Sequence, residues 1–186
     1  MRKALVLVIS ILCFAVIQST AQGRYNGYVI TNENDTITGV VEIGNSALQA
    51  VRVVFTDYEV HQPVQLEPFQ IKRYYVNNQT FQSKIYDLDE DLNYGYAVFM
   101  EVVEDGPVIF YKYWNNQKRR FETILEDGNK SMVVVTRLKF SNQMSEYFND
   151  YDILKAKILR GVYKRRDLNK IVAEYNSWKN ELGVAD

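Results

Sequence analysis

Between Tyr25 and Phe140 the chain breaks into short runs of alternating apolar and polar residues, each closed by turn residues. After Phe140 the apolar residues recur every three to four positions instead. A period of two lines one face of a strand, and short strands at this spacing build an antiparallel sheet. A period near 3.6 builds amphipathic helices. No proline- or serine-rich linker separates the two regions. The expectation is one α+β domain over residues 22–186: a β-rich part, 25–140, as an antiparallel sheet or partly closed barrel, and a helical part, 141–182, with two to three helices packed on it.

Individual elements follow from the same logic. Thr36–Ile43 puts Ile37, Val41 and Ile43 on one face and Thr36, Thr38 and Glu42 on the other, with Gly39 on the apolar side marking a bulge or close crossing. Val51, Val53 and Phe55 form the next stripe. Phe69–Val76 and Thr80–Tyr86 flank Asn77-Asn78-Gln79 as a hairpin. Gly95–Val103 and Val108–Trp114 flank Glu104-Asp105-Gly106-Pro107, and Asp127-Gly128 precedes a strand over Met132–Phe140. Ser141 is the expected N-cap of a helix over Asn142–Asn149, Asp152 of one through Leu159 ended by Gly161, and Asp167 of the clearest helix. That last helix aligns Leu168, Ile171, Val172, Tyr175, Trp178 and Leu182 on one face before Gly183.

The first 21 residues have a different character. Arg2 and Lys3 precede an apolar run, Ala4–Ile17, broken only by Ser10 and followed by Gln18-Ser19-Thr20-Ala21. A basic start, about 14 apolar residues where a membrane span needs about 20, and small residues at the end describe a secretory signal peptide cleaved after Ala21. The one cysteine, Cys13, lies inside the run behind Leu12, away from the position that lipidation requires. An exported protein, periplasmic, outer-membrane-associated or extracellular, is the expectation, with no membrane span after cleavage.

Composition then excludes chemistry. Without Met1–Ala21 the chain has no cysteine, and the 22 Lys+Arg fall to 20 against 23 Asp+Glu, a formal charge of −3. Thiol catalysis and Cys-ligated zinc are closed, and the single His61 closes multi-histidine metal sites. The charge balance shows no footprint for nucleic acid and no basic stripe for an anionic membrane. Arg119-Arg120 and Lys164-Arg165-Arg166 read as solvated faces.

Few residues qualify for a site. Asp87-Leu88-Asp89-Glu90-Asp91 resembles the start of a calcium loop, but Leu92 stands where glycine belongs and Val98 where a bidentate Glu belongs, so a solvated acidic loop is expected. His61 has no nucleophile-elbow motif to serve and reads as a loop residue. Glu101 is the β-run carboxylate that could join a glycosidase pair. Asn34, Asn78 and Asn129 each head an N-glycosylation pattern that Asn-rich turns generate by chance. The 14 Tyr and nine Phe suit sheet packing. A sugar-stacking stripe would use Tyr111 and Tyr113 on one strand face, with Trp114 on the other.

Taken in order, Gly27-Tyr28-Val29-Ile30, Asp35–Val41, Glu67-Pro68-Phe69-Gln70-Ile71-Lys72, Phe99–Val103, Gly106–Tyr111, Tyr147-Phe148 and Asp167–Asn176 make the chain resemble uncharacterised exported proteins of Bacteroidota-type bacteria. The resemblance implies a bacterial envelope or extracellular location and brings no catalytic residues. The expected function is a non-enzymatic binding or structural module without a cofactor, its partner a protein or glycan. A glycan-binding module using exposed aromatics is the alternative, and a carboxylate-dependent glycoside hydrolase the second.

Overall fold

The computed structural model describes residues 23–87, 95–128 and 130–183. Ten strands form one antiparallel sheet: β1 (Gly23–Thr31), β2 (Thr36–Ile43), β3 (Val53–Asp57), β4 (Pro63–Leu66), β5 (Ile71–Val76), β6 (Gln79–Tyr86), β7 (Tyr96–Glu104), β8 (Val108–Asn115), β9 (Arg120–Asp127) and β10 (Lys130–Val134). A one-turn helix, α1 (Ser46–Gln49), interrupts the strands, and α2 (Phe140–Tyr147), α3 (Asp152–Leu159) and α4 (Leu168–Gly183) follow them. The strand order is β10-β9-β8-β7-β6-β5-β1-β2-β3-β4. Its ends, β10 and β4, do not pair, so the sheet is open.

One connection bends this sheet. Only residues 67–70 join β4 to β5, although β3, β2 and β1 stand between them in the strand order. Strands about 4.8 Å apart would put β4 and β5 about 19 Å apart in a flat sheet, beyond the roughly 18 Å that five extended residues can span. The sheet curls instead. Val53 and Phe55 of β3 and Leu66 of β4 share a core with Ile71 and Tyr74 of β5, Phe81 of β6 and Phe99 of β7. The backbone N–H of Phe99 donates to the carbonyl of Ala50 (2.8 Å), beside α1. Gly39 lies at such a close approach: a Cβ there would fall 2.3 Å from the Thr56 carbonyl oxygen.

The same sheet face continues into the helical core, where Val108, Leu125 and Val135 pack with Phe140, Met144, Phe148, Leu154, Ile158, Ile171, Val172 and Tyr175. The opposite face carries a third layer of Tyr86, Val98, Met100, Tyr111, Tyr113 and Ile124.

Two turns follow their local chemistry. Asn77 and Asn78 both have positive φ (49° and 61°), the two-residue hairpin turn whose twist matches the strands. Gly161 (φ 73°) ends α3 with its N–H on Ile158 and that of Val162 on Lys157, both 3.0 Å, a Schellman closure.

Other boundaries move. The strand expected over Met132–Phe140 stops at Val134, because Phe140 opens α2 and is buried among helical residues, while Leu138 is 98 % exposed. Lys139, not Ser141, is the N-cap of α2, and the Ser141 hydroxyl donates to the Ile158 carbonyl (3.2 Å). Asp152 lies in the first turn of α3 rather than at its cap. Asp167 closes a short 3-10 turn, Arg165–Asp167, by accepting the Lys164 N–H (3.1 Å). Tyr175 is buried against the sheet, whereas Trp178 stacks flat on Tyr151 (4.4 Å, 4°).

Candidate functional site

A groove of about 620 Å³ opens where the β1–β2 and β4–β5 connections meet. Ile30, Arg73 and Gln82 stand side by side on β1, β5 and β6, because Ile30 pairs with Arg73 and Arg73 with Gln82. Asn32 and Asn34 come from the β1–β2 turn, Phe69 from the β4–β5 connection, and Lys72 and Ser83 from the strands beside it.

Phe69 is the unusual member. Its backbone takes φ 82°, a region that a bulky residue avoids, and the residue is 64 % exposed. Both its peptide groups are tied down. Asn32 Nδ2 donates to the Phe69 carbonyl (2.5 Å), and the Phe69 N–H donates to Ser83 Oγ (3.2 Å). Gln70 closes the connection on both sides, its N–H on the Glu67 carbonyl and its Oε1 on the Glu67 N–H. Strain of this kind costs about 1–3 kcal/mol and persists where the surroundings over-determine it. The β1–β2 turn is held by Thr31 Oγ1, which accepts from Glu33 and Asp35. Lys72 Nζ donates to Asn34 Oδ1 (2.7 Å), and Arg73 faces Asp105 (3.4 Å).

Tyr111 and Tyr113, expected as an exposed stripe, are buried at 0 % and 2 %. They face the third core layer, so neither ring can stack on a ligand. The Tyr111 hydroxyl donates to Glu126 (2.8 Å) and lies 3.1 Å from Gln82 Oε1, which places it directly behind the groove floor. Glu126 is also bound by Lys84 (2.6 Å). Nearby, Tyr86 donates to the buried Glu122 (2.5 Å), which also meets Asn115, Arg120 and Lys118. Burial first, then the hydrogen bonds to Glu122 and Glu126, push the Tyr86 and Tyr111 hydroxyls well above the usual tyrosine range.

Glu101 lines a separate cleft of about 90 Å³ with Trp114, Phe121, Gln79 and Lys112. It accepts from Gln79 Nε2 (2.8 Å) and faces its cross-strand partner Lys112 (3.6 Å). It is the one carboxylate among that cleft's described lining residues. Trp114 is half-buried and meets Phe121 edge-on (5.0 Å, 77°). His61 sits exposed in the β3–β4 turn at φ 59°, its N–H on the Asp57 carbonyl (2.9 Å), apart from both clefts. Asp87 is exposed at the end of β6, and the rest of the calcium-like run lies outside the described residues. Among the described residues no group of three His, Cys, Asp or Glu is placed to hold a metal, and no helix is long and apolar enough to cross a membrane.

The structure therefore brings together residues that alternation alone did not single out. Phe69 read as the first residue of a strand. Its signal was the preceding Pro68, which has no N–H to give a strand ladder and so argues against a strand running through residue 68. No protein-family model, curated protein or solved structure matches this chain.

Proposed function

We propose that this protein is an exported, non-enzymatic binding module of a bacterial envelope that captures a glycan in the Phe69 groove. The observation that carries the reading is an exposed aromatic ring held in a strained backbone by side-chain hydrogen bonds, over a groove wide enough for sugar rings. An aromatic face offers apolar area to the C–H face of a sugar, and a few convergent polar groups orient it. Asn32, Gln82 and Ser83 supply amides and a hydroxyl, and Lys72 adds a cation that suits a sugar bearing a carboxylate. The resemblance to exported Bacteroidota-type proteins and the signal-peptide pattern of Met1–Ala21 support the location.

The hydrolase reading has less behind it. Glu101 is neutralised by Lys112, in a cleft much smaller than the Phe69 groove. A second carboxylate about 5–10 Å away, which glycosidase chemistry needs, is not among that cleft's described lining.

Screening the protein on a glycan array, followed by calorimetry on the best acidic glycan, tests the proposal. Phe69→Ala should weaken binding at least about tenfold, equivalent to about 1.4 kcal/mol. Equal binding by both proteins, or no glycan bound at all, would refute it. Mass spectrometry of the protein from its host should find an N-terminus at or near Gln22, and an intact Met1 in the cytoplasm would remove the exported location.

A further inference from the structure

Two short basic clusters, far apart in the chain, meet at one end of the sheet. Arg120 at the start of β9, Arg137 between β10 and α2, and Arg165 before α4 line one open groove of about 340 Å³. Arg119, Lys139, Lys164 and Arg166 flank these positions in the chain and are exposed. The groove's one carboxylate, Glu122, is buried and already bound by Arg120, Lys118 and Tyr86. Apolar side chains project from the same surface. Leu138 lies between Arg137 and Lys139 at 98 % exposure, and Phe121 beside Arg120 at 46 %.

A leucine fully in water amid cations has no packing role in the fold. Where a surface combines projecting apolar side chains with arginines and lysines, the apolar groups enter the headgroup boundary and the cations meet lipid phosphates. The chain as a whole is slightly acidic, so this attraction belongs to the face and not to net charge. We propose that this face, centred on Arg137, Leu138 and Arg165, docks the protein peripherally on an anionic phospholipid membrane. It is independent of the Phe69 groove.

Co-sedimentation of the full chain with phosphatidylglycerol-containing vesicles, against phosphatidylcholine vesicles alone, tests this. The variants are Arg137→Glu with Arg165→Glu, and separately Leu138→Asn, all at exposed positions; Arg120 is left intact because it holds Glu122. Basic residues near such a surface attract anionic lipid, so the double variant, which reverses two of them, should lose about tenfold or more in affinity for anionic vesicles. Raising salt should weaken the wild type. Leu138→Asn should weaken vesicle binding while leaving binding of inorganic polyphosphate unchanged. Equal binding by wild type and the double variant overturns the proposal. So does vesicle binding that Leu138→Asn leaves intact and polyphosphate abolishes, which would make the face a soluble-polyanion site.

Discussion

Asn176 of α4 holds both backbone polar groups of Val108. The Val108 N–H donates to Asn176 Oδ1 and Asn176 Nδ2 donates to the Val108 carbonyl, each at 2.8 Å, and both residues are buried. A side-chain amide thus substitutes for a strand partner at the start of β8, and it fixes the last helix to the sheet. Asn176→Leu leaves a donor and an acceptor unpaired in the core, at about 1–3 kcal/mol for each group. Chemical denaturation should show a loss of at least about 2 kcal/mol. A loss below about 0.5 kcal/mol, the scale of a surface substitution, would mean that the bond carries little.

The helices cover the sheet rather than standing beside it. Val108, Leu125 and Val135 are each no more than 4 % exposed, within a core made mostly of α2, α3 and α4 residues. A chain ending at Lys139 should therefore lose cooperative unfolding. A sharp two-state transition in that shortened chain would show that the helices are a separable unit.

At Phe69, stability and binding should move in opposite directions. Phe69→Gly removes the cost of φ 82°, partly offset by the greater freedom of glycine in the unfolded chain, for a net gain of up to about 1 kcal/mol. The same substitution should abolish glycan binding. Thermal melts and binding titrations on one preparation read both effects, and a destabilised Phe69→Gly protein would contradict the strain argument.

Buried tyrosines set the alkaline limit. Burial most of all, and then carboxylate or tyrosine partners, raise the hydroxyls of Tyr86, Tyr111, Tyr113 and Tyr175 well above 10.0. In the unfolded chain these groups ionise near 10.0, so the folded state then binds more protons than the unfolded one. The stability they confer is complete below about pH 10 and falls above it, by up to about 1.4 kcal/mol per pH unit for each such group. Titration by tyrosinate absorbance should show these groups ionising only as the protein unfolds. Smooth titration with the fold intact would disprove their protection.

The acid limb is gentler. Burial raises the Asp150 carboxyl, but hydrogen bonds from Lys179 and Tyr175 outweigh it and hold it below its ordinary 3.8. Its contribution is present above about pH 4 and is lost as pH falls through the lower folded value. Because the pair is over a third exposed, Asp150→Asn should cost only about 0.5–1 kcal/mol at neutral pH. Comparing melts of the two proteins across pH 2–7 should show the difference shrinking in acid. A difference independent of pH would assign the effect to packing.

Local chemistry in the sequence settled what depends on near neighbours. The span Thr36–Ile43 is β2 residue for residue, Asn77 and Asn78 make the hairpin turn, and Ile171, Val172 and Tyr175 bury one face of α4. Periodicity and turn propensity act within a few residues, so they are legible in one dimension. The tertiary structure decided what depends on which distant strands pair. Inserting β5 beside β1 instead of β4 curls the sheet and stacks β3 on β6 and β7. Tyr111 and Tyr113 fall inside a layer because alternation marks two faces of a strand without saying that both are covered. Phe140 leaves its strand pattern for a helix because burial beside Met144 outweighs another pair of ladder bonds. Phe69 and the convergence of Arg120, Arg137 and Arg165 likewise exist only where separate connections meet, since side chains far apart in the chain become neighbours through the pairing of strands.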